Sequence, residues 1–365
     1  MGMKIDFVGS FFPPEELIHA KEDYQAGRIS KEAYRAAEDR AVTRLVEREI
    51  EEGFEEVTSG ETRRNNWKLD FFANFGGIVK DPDNADLYSQ WGASTEVLHL
   101  EGPVRFNPDH HFFHGFAYLE RLVHGRTTAR QTVPSPAELY IDLMQLSNVH
   151  VIYPDKEQLI ADITDTYART LRGFYDIGCR SVQLDDTVIG SLTRDSYSKR
   201  LIQAGFDIVD LQQDIIRLFN DSISGLPDDM TVSAYLSGGD DPVPEWSAVP
   251  DPDNIAPKAL SEIKVDRLYL PFSTSRNEAF EVLRYVPVGT QVVLGLVEAH
   301  SPFWQPDEEF KLAIGEARKY IAAKRLALSP RTGFKIGSYA NRGLTYENQW
   351  AKIKGMKDLL SRIFC

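Results

Sequence analysis

Residues Cys179–Gly190, CRSVQLDDTVIG, decide the fold. Ser181, Val182, Gln183 and Leu184 read as a short buried strand after a helix-length segment, and the run stops at two adjacent carboxylates, Asp185 and Asp186. In a barrel of parallel strands, chemistry is placed at the C-terminal strand ends. Two acids at such an end also cap helices and bind loop amides, so they become a candidate site only in the company of matching groups on other strands.

The same unit recurs on both sides of that stretch. Ile5–Gly9 is a first strand that ends on Ser10 before FFPPEEL, where Pro13 and Pro14 suit a turn and the opening of a helix. A helix capped at Ser30 is stopped at Gly53, and a second strand, Phe54–Thr58, runs into SGETRRNNW. Ala129–Val133 closes on PSP and is followed by a helix over Ala137–Leu146 and a long one over Asp155–Ile177. Beyond the opening stretch, a helix over Arg194–Asn220 leads to Met230–Leu236, which ends in SGGDDP. Arg267–Phe272 then ends in STS, Gln291–Val297 in EAHS and Arg325–Leu328 in SPRTGF. Eight short strands alternating with helices predict an α/β fold, one TIM-type (β/α)8 barrel over residues 1–365. The rhythm lapses over residues 68–126, which reads as an insertion between strands 2 and 3 covering the barrel mouth. A doubly wound sheet is the runner-up, but no GxGxxG and no P-loop follows a strand.

Several loops at the strand ends carry groups able to bind a small polar molecule. Glu61, Arg63, Arg64 and Trp67 crowd the loop after strand 2, and an acid, two guanidiniums and an indole together can grip an amino acid or another zwitterion. The insertion holds His110, His111 and His114. His110 and His114 are spaced i,i+4, as metal ligands on one helix face are, but the glutamate of a metalloprotease pair is missing. They are therefore read as substrate-facing or packed histidines, and His111 joins Asp185, Asp186 and Glu61 as a candidate catalytic group.

Composition narrows the partners. A formal net charge of -14 disfavours nucleic acid and anionic membranes. Two cysteines, Cys179 and Cys365, give no disulfide framework and no Cys-rich metal spacing, and no apolar run has the length of a signal peptide or membrane span. A cytoplasmic monomer or homodimer with a small-molecule substrate is expected.

Taken together, VGSFFPPEEL, VTSGETRRNNWKLDFF, TVPSP, CRSVQLDDT, LGLVEAHSP, and LALSPRTGF followed by LTYENQWAKI resemble the cobalamin-independent methionine synthase family. The likeness is to short, single-barrel relatives of its catalytic C-terminal domain, and it covers nearly the whole chain in order. It implies a substrate amino acid held by Ser10 at its carboxylate and by Glu61 and Asp185 at its amino group, with Trp67 as an aromatic wall. It also implies a zinc ion at the barrel mouth that turns a substrate thiol into the acceptor of a folate methyl group. The family's zinc donors are a His and a Cys after strand 5, a Glu after strand 6 and a Cys after strand 8. Here Tyr235 and Ser237 (or Ala234 and Leu236 in the neighbouring register), Pro271 and Thr332 stand in their places. Hydroxyls make a poor zinc site, so no metal and no other cofactor is expected, zinc returning only through a substitute donor set and a folate donor staying open. Arg331 becomes a candidate for an anionic substrate group, and Asp186 a group able to supply or accept a proton. The leading expectation is a metal-independent enzyme acting on a small polar substrate by transfer or acid-base chemistry. The alternatives are a methyltransferase of the methionine synthase type and an inactive barrel serving as a small-molecule sensor.

Overall fold

The structure, a computed structural model, describes residues 2–81, 97–239, 241–335 and 344–364. Among the described residues there are ten strands: β1 (Lys4–Ile5), β2 (Glu56–Val57), β3 (Gly76–Asp81), β4 (Val97–Arg105), β5 (Thr128–Pro134), β6 (Ser181–Asp186), β7 (Thr231–Leu236), β8 (Arg267–Pro271), β9 (Gln291–Val297) and β10 (Leu326–Pro330). Eight of them form one sheet in the order β1-β10-β9-β8-β7-β6-β5-β2, with every ladder parallel. Helices lie between successive strands, and the last helix, Tyr346–Phe364, packs back on β1. This is the curled parallel sheet of a TIM-type barrel. At the seam the flanking turns meet: Thr58 Oγ1 donates to Gly9 O at 2.9 Å and Phe11 N to Gly60 O at 3.1 Å.

The barrel interior is layered. At its N-terminal end Asp6, Glu56, Arg130, Arg267 and Tyr269 form one charged network; Arg130 is wholly buried and reaches Asp6 at 3.1 Å, Glu56 at 3.3 Å and Phe7 O at 2.6 Å. Above it Val8, Tyr235, Tyr269 and Val293 pack as an apolar layer. The large core lies outside, where the opposite faces of the strands meet the helices. Because side chains alternate along a strand, β6 sends Gln183 and Asp185 inward and Val182, Leu184 and Asp186 outward.

Two expectations change. The single helix expected over Arg194–Asn220 is two, Asp195–Gln203 and Ile208–Ile223, because Gly205 takes φ +96° and Asp207 caps the second by accepting from the amides of Val209 and Asp210. Within 68–126, β3 and β4 pair antiparallel, and β4 packs beside the helix Lys156–Asp176, in the outer helical layer. The helix His111–Val123 leads directly into β5 and packs on it and on the helix Lys31–Glu51, which makes it the crossover of the second βα unit and not part of a cover. Residues 82–96 lie outside the described residues.

Candidate functional site

The mouth is built around Asp185. Gln183, two residues earlier and so on the same face, donates from Nε2 to Asp185 Oδ1 at 2.7 Å and to Val8 O at 2.6 Å. Burial holds the Asp185 carboxyl well above the usual carboxylate range; the charge of Glu61 adds to this, while the Gln183 bond and the charges of Arg64 and Arg130 oppose it. An empty mouth therefore favours a neutral Asp185, and a cation seated there favours its ionised form.

Glu61 faces Asp185 from the loop after β2. Its backbone sits at φ 53°, in the left-handed region that non-glycine residues rarely adopt. Its Oε1 accepts from Thr132 Oγ1 at 3.0 Å and pairs with Arg64 Nη1 at 3.3 Å, and Arg64 also donates to Thr132 Oγ1 at 2.9 Å. Lys335, just after β10, donates to the carbonyls of Glu61 at 3.1 Å and Arg64 at 2.6 Å, pinning the turn. Burial pushes the Lys335 ammonium down to about 8, partly opposed by the charge of Glu61. Ser10 completes this side: its carbonyl accepts from Phe334 N at 2.8 Å and its hydroxyl donates to Lys335 O at 3.4 Å. The approach is so close that a methyl group on Gly333 would lie 1.9 Å from Ser10 Oγ.

Across the mouth, Tyr235 donates its hydroxyl to Arg331 O at 2.9 Å, and buried Ser237 bonds Tyr235. Arg331 pairs with Glu298 at 3.0 Å and donates to Phe272 O at 3.0 Å. Its guanidinium is thus held in place by protein groups through Nη1 and Nε. Thr332 Oγ1 lies 3.1 Å from His300 Nε2 and donates to Gly333 O at 2.8 Å.

Other candidates fall elsewhere. Asp186 points away from the mouth; it is fully buried, with Ser135 Oγ donating to it at 2.5 Å and Ile189 N at 2.7 Å, so it caps the helix Val188–Leu192 and is no catalytic acid. His110 is likewise buried: Nδ1 accepts from Phe112 N at 3.3 Å and Nε2 lies 3.2 Å from Phe71 O, which fixes the neutral tautomer. Burial pushes it down to about 3, and rings of Phe71, Phe75, Phe112 and Phe113 surround it, so His110 packs and does not meet substrate. His111 and His114 are exposed on the wall of an outer cavity of about 820 Å3, with Arg63, away from Asp185. Trp67 lines a different cavity of about 560 Å3, with Glu138, Tyr197 and Arg200. Gln183, Thr132, Lys335 and Glu298 were missed; for Gln183 the signal was its two-residue spacing from Asp185, and for Lys335 its place two residues beyond Gly333.

A family profile described as "Cobalamin-independent synthase, Catalytic domain" matches residues 249–349. YxjH of Bacillus subtilis (strain 168) is 29% identical over 363 residues, covering 99% of this chain and 94% of that protein. A methionine synthase of Saccharolobus islandicus is 21% identical over 362 residues, covering 96% and 92%. In three dimensions, a candidate vitamin-B12-independent methionine synthase from Listeria monocytogenes superposes with a TM-score of 0.76 at 26% identity, over 100% of this chain and 98% of that one. Along its whole length the chain is similar to cobalamin-independent methionine synthases. A B12-independent methionine synthase from Shewanella, solved with selenomethionine, shares the fold at a TM-score of 0.67 and 14% identity, covering 100% and 98%. The match to these synthases is end to end, and their barrel is the one described above.

Proposed function

We propose that this methionine synthase relative is a metal-independent enzyme acting on a small, ammonium-bearing substrate at the barrel mouth. The observation that carries the reading is the facing pair Glu61 and Asp185, two carboxylates on different strand ends, with burial and the charge of Glu61 both raising the Asp185 carboxyl well above the usual carboxylate range. An ammonium group between them relieves that repulsion and draws the proton off Asp185. Ser10, beside Gly333 and Phe334, is where a substrate carboxylate would be received. Asp185 is then the group in contact with substrate that can exchange a proton with it, a role Asp186 has no access to.

Zinc does not fit the side chains present. The positions aligned with the family's donors are Tyr235, whose hydroxyl is donated to Arg331 O, Ser237, Pro271, which has no donor atom in its side chain, and Thr332, whose hydroxyl is donated to Gly333 O. Three hydroxyls and a proline do not supply the thiolates, imidazoles or carboxylates that zinc takes. No step is therefore assigned to the metal.

A second reading, methyl transfer from a folate-type donor to an acceptor that needs no zinc, is favoured by the cavity of about 560 Å3 lined by Trp67 and Tyr197, which adjoins the loop of Glu61. Incubation with homocysteine and other amino acids, with and without methyltetrahydrofolate, separates the two. Donor-independent turnover of an amino acid supports proton-transfer chemistry, methyl transfer supports the second reading, and binding with no turnover of either kind leaves a sensor.

A further inference from the structure

The cavity of about 820 Å3 outside the mouth is larger than a small zwitterion needs and lies near the upper end of small-molecule sites. Its inner end is shared with the mouth: Glu61, Arg64 and Gln131 line it, the last two buried. Its walls come from the helices Lys31–Glu51 and His111–Val123 and from the loop after β2.

Charge on these walls is unevenly matched. Arg64 is paired with Glu61, Arg63 with Asp39 and Lys80 with Asp70, so three of the acids are answered within the cavity. The fourth acid, Glu38, is buried, and its carboxyl is raised by that burial, with its hydrogen bond from Tyr34 and the charges of Arg63 and Arg35 opposing. Beyond these pairs stand Arg35 and Arg121, with His111 and His114 near them, all exposed to the space. Arg121 and Arg63 are not loose: their guanidiniums sit 5.6 and 4.8 Å from the ring centre of Tyr118, whose hydroxyl is fixed by Thr43 at 3.0 Å and by donation to Asp39 O at 3.2 Å. A chain of net charge -14 has no general attraction for anions, so a cationic wall leading away from an ammonium-binding mouth is a local feature.

We infer that this outer cavity holds an anionic group, phosphoryl or polycarboxylate, at the far end of the substrate whose ammonium-bearing head lies between Glu61 and Asp185. The inference rests on the functional reading above and extends it from a plain amino acid to a substrate with a charged tail. Arg35 and Arg121 supply permanent positive charge, Arg121 held on the Tyr118 ring, and His111 and His114 supply ring N–H donors on the same wall. Guanidiniums suit such a group because their planar donors bind two oxygens at once.

Calorimetric titration of the full-length protein with pyrophosphate and with citrate tests this, beside a titration with amino acids that carry no distal charge. The expected result is saturable binding of at least one of the two anions, weakened about tenfold or more in the double variant R35S/R121S, that fold-change being of the size seen when charge-assisted contacts are removed. Tighter binding of pyrophosphate assigns the tail to a phosphoryl group, and tighter binding of citrate to a polycarboxylate. Equal affinity in wild type and R35S/R121S overturns the inference, since the anion then binds elsewhere. If an uncharged-tail amino acid binds while neither anion does, the outer site alone falls. If neither anions nor amino acids bind the wild type, the outer site and the functional reading both fall.

Discussion

Asp185 and Asp186 are neighbours in sequence and opposites in role, because one peptide unit along a strand reverses the side-chain direction. For Asp185, uptake of an ammonium ligand is coupled to loss of the carboxyl proton. Affinity for a zwitterion is therefore expected to rise with pH until Asp185 is ionised in the free protein, and calorimetry in two buffers of different ionisation enthalpy should register a released proton. Asp185→Asn should abolish both the proton release and most of the affinity, on the order of 2 kcal/mol or more for a lost charged bond. For Asp186 the consequence is stability. Burial, with the charge of Glu138 adding to it, raises its carboxyl to about 7, against hydrogen bonds from Ser135 and Ile189 that lower it. An acid raised in the folded state binds its proton more tightly there than when unfolded, so the stability it contributes is full below the unfolded value, near 4, and is lost as pH rises toward 7. The slope is up to about 1.4 kcal/mol per pH unit for one proton. Asp186→Asn, which keeps an acceptor for Ile189 N and a polar partner for Ser135, should flatten that part of the profile measured by denaturant unfolding at several pH values.

Between elements, the mouth depends on one junction, where the loop after β10 meets the loops after β1 and β2. Gly333 touches Ser10, Phe334 bonds the Ser10 carbonyl, and Lys335 bonds the carbonyls of Glu61 and Arg64. Gly333→Ala should displace the Ser10 hydroxyl and weaken carboxylate-bearing ligands while leaving amines without a carboxylate nearly unaffected, a contrast that binding titrations can read. Lys335→Met leaves two carbonyls without their donor, at a cost of about 1–3 kcal/mol, and frees the Glu61 turn from its left-handed conformation; thermal unfolding and ligand affinity should both decline. This junction was only partly legible in the sequence. Strand ends, the SGETRR loop and the alternation around Asp185 could be read from period and punctuation. The bond from Lys335 to Glu61 joins residues 274 positions apart, and no local pattern encodes such a contact. The histidines show the reverse error: i,i+4 spacing places His110 and His114 on one face only if both are helical, yet the helix begins at His111 and His110 is its buried cap.

At the scale of the molecule, eight strand ends bring Ser10, Glu61, Asp185, Tyr235 and Arg331 to one end of the barrel, while the other end is locked by charge. Arg130 is the hub of that lock, reaching Asp6, Glu56, Tyr269 and a backbone carbonyl with no exposure of its own. Arg130→Met removes one of the two guanidiniums that hold Asp6 and Glu56, leaving Arg267 on both carboxylates and the Tyr269 hydroxyl on Asp6, and is expected to cost about 1–3 kcal/mol, seen as a lowered denaturation midpoint, without altering which ligands the mouth prefers. The barrel itself was legible because each βα unit repeats a buried run and a polar stop. The hairpin of β3 and β4 and the crossover role of the helix His111–Val123 were not, since an interruption of that rhythm does not reveal which part of it rejoins the barrel. Among the described residues no helix is long and apolar enough to cross a membrane. The most direct measurement is a calorimetric titration of metal-depleted protein with homocysteine, methionine and the other amino acids, repeated after zinc is restored and with Asp185→Asn. Saturable binding to the metal-depleted protein, with proton release, unchanged by zinc and lost in Asp185→Asn, is the predicted result. Binding that appears only when near-stoichiometric zinc is present, or that survives in Asp185→Asn, would contradict it.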